Sequence, residues 1–428
     1  MAVVHPFKGF RYNKDVVGDF NRVVAQPYDK VTPSMQDAYY QGSPYNVVRI
    51  TLNREKRGNP ETGYADAGAT FRKWIEQEVL TQDPLPAIYA YYQEYVADGS
   101  SRLQKGFIAL LDLKNSESGI IPHENTLSAP KQDRLQLMRS IEGNEDLIYM
   151  LYSDDRLAVI NTMDKSIAGR SPGIEVADEF GVTHRLWAIT DLEAIHSMQN
   201  AMASQKLFIA DGHHRFETSV NFMRECERQR WQPVGVESFD KRMVACFNIT
   251  GGVTILPTHR LIRDIPVFDA PSFLRAVKTH FAVEVAPSAS KLWQKMRDGR
   301  DDHVFGFYPA KLGQFYLLRL SHEAQRDKDP QRLLDVSILH SLLLERGLGI
   351  DANKLEAQTN VDYERDRDTC IRLVDEGRYQ AAFFLNPTTA EQMQRIASSG
   401  ERMPQKSTDF YPKLLTGLVF MKMSIKKG

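Results

Sequence analysis

"LFIADGHHRFETSVNF", residues 207–222, runs four apolar residues into an acid, a glycine, two histidines and an arginine. The apolar run Leu207–Ala210 is short enough for a buried strand, and Phe216, Val220 and Met223 recur at helical spacing after it. The stretch therefore predicts strand, corner, helix. A helix start leaves about four backbone N–H groups unpaired and carries partial positive charge. Fed by a strand through a glycine, it is a ready anion site. Gly212 lets the backbone approach a ligand. His213, His214 and Arg215 add donors, and an arginine can grip an oxyanion with two parallel bonds. Asp211 could take a hydroxyl or a Mg²⁺ ion. The plainer alternative is an Asp N-cap with solvated basic neighbours. Zinc is the rival use of two histidines. Adjacent residues on a helix point about 100° apart, so a zinc site needs further ligands, such as His123, His259 or Glu124.

Outward from this corner, turn chemistry fills the first 60 residues: "AQPYDKVTPS", "QGSPYN" and "REKRGNPETG". "NVVRITL" between them reads as a strand. "DAGATFRKWIEQEVL" puts Ala67, Phe71, Trp74 and Ile75 on one helical face. "AIYAYYQEYV" and "LQKGFIALLDL" are β-rich runs joined by "ADGS", a hairpin signal. "DLIYMLY" and "RMVACFNIT" read as strands. "VFGFYP" and "QFYLLRL" flank Lys311–Leu312–Gly313 as a second hairpin. "RLLDVSILHSLLLERG" reads as an apolar helix stopped by glycine, and "RDTCIRLVDEGRYQAAFFLNP" as helix, turn, strand. Thr388 and Glu391 have capping-box spacing, with Gly400 as the stop. Helices and strands are mixed rather than strictly alternating. The expected fold is α+β (mixed α/β), not a doubly wound parallel sheet. The composition shift at "DIPVFDAP" places the expected boundary there, giving domains 1–265 and 266–428.

Composition bounds the function. With 42% hydrophobic and 25% charged residues, the chain is an ordinary globular one. The net charge of −1 and the lack of a basic stripe argue against nucleic acid or an anionic membrane as partner. Three distant cysteines, Cys226, Cys246 and Cys370, form no disulfide framework and predict a reducing cytoplasm. No signal peptide or membrane span is expected from the sequence. No GxSxG elbow, Walker loop or GxGxxG after a strand is present.

Four other stretches carry chemistry. In "IPHENT", His123 and Glu124 precede a helix, and a pocketed Glu can serve as general base. In "MPQKSTDFYPK", Lys406, Ser407, Thr408 and Lys413 suit a carboxylate or phosphate. In "LPTHR", a turn fixed by proline presents Thr258, His259 and Arg260, which could face the same pocket and bind phosphate or substrate. "AQPYDK" offers Tyr28 and Asp29 in the same way.

With these stretches in view, the chain resembles the family labelled domain of unknown function 1015. "PYDKVTP", "SPYNVVRITL", "HENTLSAPKQDRL", "IADGHHRFETS", "LPTHRL", "LDVSILH" and "MPQKSTDFYPKLLTGLV" carry the resemblance. More distantly, "LFIADGHHR" resembles the strand-to-helix signature of the ParB/sulfiredoxin-like fold, in particular the archaeal free-serine kinases that use ADP. "PHEN" resembles their His-Glu motif, and "DEGRYQAAFFLNPTTAEQMQRIASSGERMPQKST" their C-terminal segment. The resemblance implies a ParB/sulfiredoxin-like core, with an N-terminal elaboration, and a C-terminal α/β lobe. It also implies phosphoryl transfer between a nucleotide (ADP or ATP) and free serine or a similar small hydroxy acid. Glu124 would be the catalytic base, with Asp211 and His214 beside it, and Asp211 would order Mg²⁺ or phosphates. His123, Gly212, His213 and Arg215 would bind phosphate. Lys406, Ser407 and Thr408 would hold the substrate's anionic end. Four features depart from the kinases: residues 1–121 precede "PHEN", the gap from Glu124 to Asp211 is longer, Phe216 follows Arg215, and Asp409 stands where an arginine is expected. A phosphoserine-type phosphomonoester hydrolase and a non-catalytic nucleotide-binding regulator are the alternatives.

Overall fold

The structure, a computed structural model, describes the chain except residues 1, 55–59, 98, 117–118, 123–127, 323–328, 330 and 405; for 60, 61 and 128–130 it describes the backbone alone. The chain divides into two units. The first contains the described residues up to 254 and takes back 410–428 at the end; the second is 255–409. Sequence composition had placed the division at 265/266 and left the last segment with the second part.

The first unit is built on a nine-stranded mixed sheet. Its order is Ile120–Ile121, Leu207–Asp211, Ile148–Tyr152, Lys241–Asn248, Ser100–Asp112, Ile88–Ala97, Thr183–Ile189, Ile174–Ala177, with Val4–His5 added to Ser100–Asp112. Two pairings are parallel, 207–211 with 120–121 and 241–248 with 148–152; the others are antiparallel. The hairpin expected at "ADGS" is present. Ala97 pairs with Ser100, and Gly99 adopts φ +72°, the left-handed region a tight turn requires. One sheet face is apolar: Ile88, Phe107, Met150, Ile209 and Val244 pack under the helices Ala158–Ile167 and Leu192–Met202. On the other side the helices Pro60–Glu76, Ser128–Ile141 and His213–Arg228 supply much of the packing, and Ala67, Phe71 and Trp74 are buried as the periodicity predicts.

The C-terminal segment is woven into this unit. Thr416 bridges to Ala25 and Phe420 to Phe10. Met421–Lys422 pairs with Gly143–Asn144, and Ile425–Lys426 with Gln232–Pro233.

The second unit is a six-stranded antiparallel sheet in the order Phe281–Ala286, Phe315–Leu320, Val304–Pro309, Ala381–Phe384, His259–Ile262, Val361–Glu364. Apolar clusters cover both faces, one around Phe305, Phe307 and Phe383, the other around Leu317, Ala382 and Phe384. The hairpin expected from "VFGFYP" and "QFYLLRL" is present.

Three local expectations are corrected. "NVVRITL" is not a strand: Val48–Thr51 is one helical turn. Asn46 is buried, its Oδ1 accepts from the Val48 N–H, and its amide donates to the Arg22 and Val24 carbonyls. That side-chain turn outweighs the β preference of Val and Ile. The capping box sits one residue later than expected, with Thr389 as N-cap and Gln392 reciprocating. Thr388 instead donates to the Ser407 carbonyl, 2.9 Å. The helix in "RLLDVSILHSLLLERG" spans Asp335–Leu348, with a wider i→i+5 stretch at Leu339–Glu345. It passes Gly347 and ends at Gly349, φ +68°.

Candidate functional site: the Asp211 corner

The decisive stretch folds as read. Leu207–Asp211 is a strand, and His213–Arg228 a helix whose N-cap is Gly212. The strand carries a bulge: Ile209 pairs with Met150, but Asp211 pairs with Tyr149. An unbroken ladder would have set Asp211 opposite Ile148, on the apolar face that Ile148 and Met150 share. One extra residue in the strand moves the carboxylate off that face.

Asp211 is not the N-cap; Gly212 is, and no side chain caps this helix. Both carboxylate oxygens meet cations instead. Arg215 Nη2 donates to Oδ2 at 2.6 Å, and Lys413 Nζ lies 3.5 Å from Oδ1. Burial pushes this carboxyl up, but Lys413, Arg215 and Lys30 outweigh it and hold it far below the usual carboxylate range. Asp211 is thus an anion at every working pH.

Arg215 is enclosed, its side chain 7% exposed. It donates to Asp211 and to the Leu147 carbonyl, and Asp146 lies at 3.9 Å. Gly212 is required by this arrangement. Its φ is +96°, and a Cβ there would sit 2.9 Å from Arg215 Nε. The close approach that Gly212 permits is therefore that of Arg215. Gly212→Ala is expected to cost about 1–3 kcal/mol, the scale of a strained backbone position. Urea unfolding measures it, and a change under 0.5 kcal/mol would mean that the guanidinium does not fold over this glycine.

Behind Arg215 lies a cavity lined by Arg134, Glu145, Asp146, Arg215, Thr218 and Arg242 among others. Arg242, buried, donates to Asp146 through both the carboxylate and the carbonyl. Arg134 packs over the Tyr28 ring, 4.1 Å from its centre, and donates to the Thr51 carbonyl at 2.9 Å. Burial and the neighbouring Asp146 push the Glu145 carboxyl up to about 7, against the pull of Arg134 and Arg242. The folded value lies above the ordinary 4.5, so the native state holds more protons in that window. Stability from this group is full below pH 4.5 and is lost as pH rises toward 7. Glu145→Gln removes that slope. The variant should melt a few degrees above the parent at pH 8, with the gap shrinking toward pH 4, as calorimetry at several pH values would read.

His213 is buried and His214 half-buried. Burial lowers the His214 pKa, with Lys131 and Arg215 adding to the effect against Glu217 and Asp29, so the ring is neutral at pH 7. His123 and Glu124 lie outside the described residues. Among the described residues no group of three or more His, Cys, Asp or Glu side chains is placed to hold a metal ion. Asp211 does not fit a magnesium ligand either, since its two oxygens already face Arg215 and Lys413.

The remaining candidates belong to the second unit. His259 and Arg260 are fully buried in the strand His259–Ile262. His259 Nδ1 accepts from the Leu385 N–H at 3.3 Å, and burial, then the charges of Arg367 and Arg260, push this imidazole down to about 3. Arg260 donates to the Thr258 and Lys406 carbonyls, and so backs the 406–409 loop from inside. In that loop Lys406 is exposed, with φ +58°. Ser407 is buried and donates to the Pro404 carbonyl, 2.5 Å, while Thr408 is half-buried. Asp409, at the position where an arginine is expected, accepts from both Nη2 (2.8 Å) and Nε of Arg365. It anchors the loop to its own unit.

Sequence reasoning missed Arg134, Glu145, Asp146 and Arg242. Lys413 was singled out but grouped with Lys406; it belongs to the first unit and to Asp211. The only signal for Glu145, Asp146 and Arg242 was charge set against apolar strands, "NEDLIYMLY" and "KRMVACF"; Arg134 lies in the helix Ser128–Ile141.

A family model described as protein of unknown function (DUF1015) matches residues 4–337. The chain belongs to the DUF1015 family. The Asp211 corner of this DUF1015 protein lies within the matched stretch, and the loop at 406–409 and Lys413 lie beyond it. No curated protein matches by sequence. Among solved structures, the chain is similar to a free serine kinase in complex with AMP, at 12% identity and TM-score 0.36, over 73% of this chain and 92% of that one. It is similar to a conserved hypothetical protein from Pyrococcus furiosus, at 11% and 0.34, over 75% and 95%. It is also similar to SbnI with a C-terminal truncation from Staphylococcus aureus, at 10% and 0.37, over 72% and 85%.

Proposed function

We propose that this DUF1015 protein moves a phosphoryl group between a nucleotide, ADP or ATP, and the hydroxyl of free serine or a similar small hydroxy acid. The observation that carries the reading is the Asp211 corner: a strand bulge sets a permanently ionised carboxylate at a helix start, with Arg215, Lys413 and Lys30 around it. Phosphoryl transfer needs positioning and neutralised charge more than covalent help, and this corner offers both.

In this reading His213, His214 and the backbone around Gly212 bear the phosphate charge, with His123 alongside. Arg215 holds Asp211 in place. Glu124 accepts the proton of the acceptor hydroxyl, whose oxygen bonds to the terminal phosphorus while the bond to the bridging oxygen breaks and the shorter nucleotide leaves. Lys406, Ser407 and Thr408 hold the acceptor's anionic end. Thr258, His259 and Arg260 support that loop. A phosphomonoester hydrolase using His214 as the acid is less favoured, because burial keeps that imidazole neutral at pH 7.

³¹P NMR of the protein with phosphoserine, run with and without AMP or ADP, tests the reading. Phosphoserine consumed only when nucleotide is present supports transfer. Inorganic phosphate released without nucleotide replaces transfer with hydrolysis. No change in either tube leaves a nucleotide-binding regulator.

A further inference from the structure

The charge balance around Asp211 runs opposite to that of a metal site. The charges acting on Asp211 are the cations Lys413, Arg215 and Lys30, and Arg215 in turn faces Asp146 and Asp29. We propose that the Lys413 ammonium is the resident cation of Asp211, closing that carboxylate to divalent metal, and that the corner takes a phosphoryl group as a metal-free anion.

Three observations carry this. The Lys413 side chain is 8% exposed, against 25% for Asp211. A buried ammonium keeps its charge only beside an anion, and Asp211 Oδ1 lies 3.5 Å away. The backbone that presents it is pinned. Gln93 Nε2 donates to the Lys413 carbonyl at 3.0 Å, the Leu415 N–H donates to the Tyr91 hydroxyl at 3.4 Å, and Thr416 bridges to Ala25. Gln93 and Tyr91 both stand in the central strand Ile88–Ala97, so the ammonium is offered from the sheet and not from a swinging tail. Finally, Arg215 occupies the other oxygen at 2.6 Å. A divalent ion placed on either oxygen would meet one of these cations at short range, and like charges repel steeply there. An incoming phosphate meets the reverse situation. The cations nearest Asp211 attract it, with lysine acting as a point charge for the oxyanion.

The inference rests on the proposed phosphate site for its choice of ligand; its metal half does not. Two measurements on the full chain separate them. Mn²⁺ binding is followed by electron paramagnetic resonance without nucleotide. AMP binding is followed by calorimetry in EDTA and in Mg²⁺. The wild type should bind no Mn²⁺ at Asp211, and its AMP affinity should differ by less than about twofold between the two buffers. Lys413→Met should weaken AMP binding in EDTA by about tenfold, one charged hydrogen bond's worth. It should also gain a Mn²⁺ site, which Asp211→Asn in the same background abolishes. Lys413→Arg keeps the charge and should behave as wild type, which decides the matter if Lys413→Met does not fold. A wild-type Mn²⁺ site lost in Asp211→Asn, or AMP binding that requires Mg²⁺, overturns the inference. Failure of AMP to bind in both buffers overturns the phosphate-site reading and the anion half with it, while the Mn²⁺ measurement still decides the role of Lys413.

Discussion

Arg242→Met is expected to destabilise the first unit by about 3–5 kcal/mol, the usual result of stripping a buried charge of its partner. Arg242 and Asp146 are both buried, and Arg242 bonds the carboxylate and the carbonyl of the same residue. Without it, Asp146 is left with the more distant Arg215, at 3.9 Å, and Arg134. Hydrogen exchange of the amides in Lys241–Asn248 is the appropriate probe, because it reads this strand and not the second unit. Adding Asp146→Asn should recover a substantial part of the loss, since no bare carboxylate then remains. Exchange rates unchanged in the single variant would show that the pair contributes nothing.

Glu124→Gln should lower turnover by about 10²-fold or more while leaving nucleotide affinity within about twofold, the pattern of a lost general base. The phosphoserine–nucleotide exchange described above gives the rate, and calorimetry gives the affinity. Equal losses in affinity and turnover would recast Glu124 as a binding residue. Unchanged turnover would remove it from the chemistry.

What could be read beforehand follows from the range of the forces involved. The strand-to-helix turn at 207–222 and the hairpin closed by Ala97 and Ser100 were legible because apolar period and turn chemistry act over a few residues. "NVVRITL" misled because Val and Ile favour strands, while the element was decided by Asn46 gripping carbonyls more than twenty residues upstream. The helix 213–228 was read by its apolar residues, Phe216, Val220 and Met223. Met223 is buried as read, and the same strip also buries Arg215, Thr218, Ser219, Phe222 and Cys226. Cys226, in the same helix, is fully buried. In the site, Asp211 and Arg215 are four apart and stood out together. Asp146 and Arg242 are 96 residues apart, and Asp211 and Lys413 are 202. Pairs at such distances leave no local period, and a composition shift could not announce that 410–428 rejoins the first unit.

That return has a consequence for synthesis. The carboxylate of Asp211 emerges from the ribosome long before its lysine partner, with the whole of 255–409 translated in between. At the usual 5–20 residues per second, the delay is roughly 10–40 s. During that interval the nascent corner has Arg215 but not Lys413, and Gly143–Asn144 and Gln232–Pro233 lack the strands that 421–426 pair with them. A chain halted on the ribosome before residue 410 thus holds Asp211 and Arg215 without Lys413.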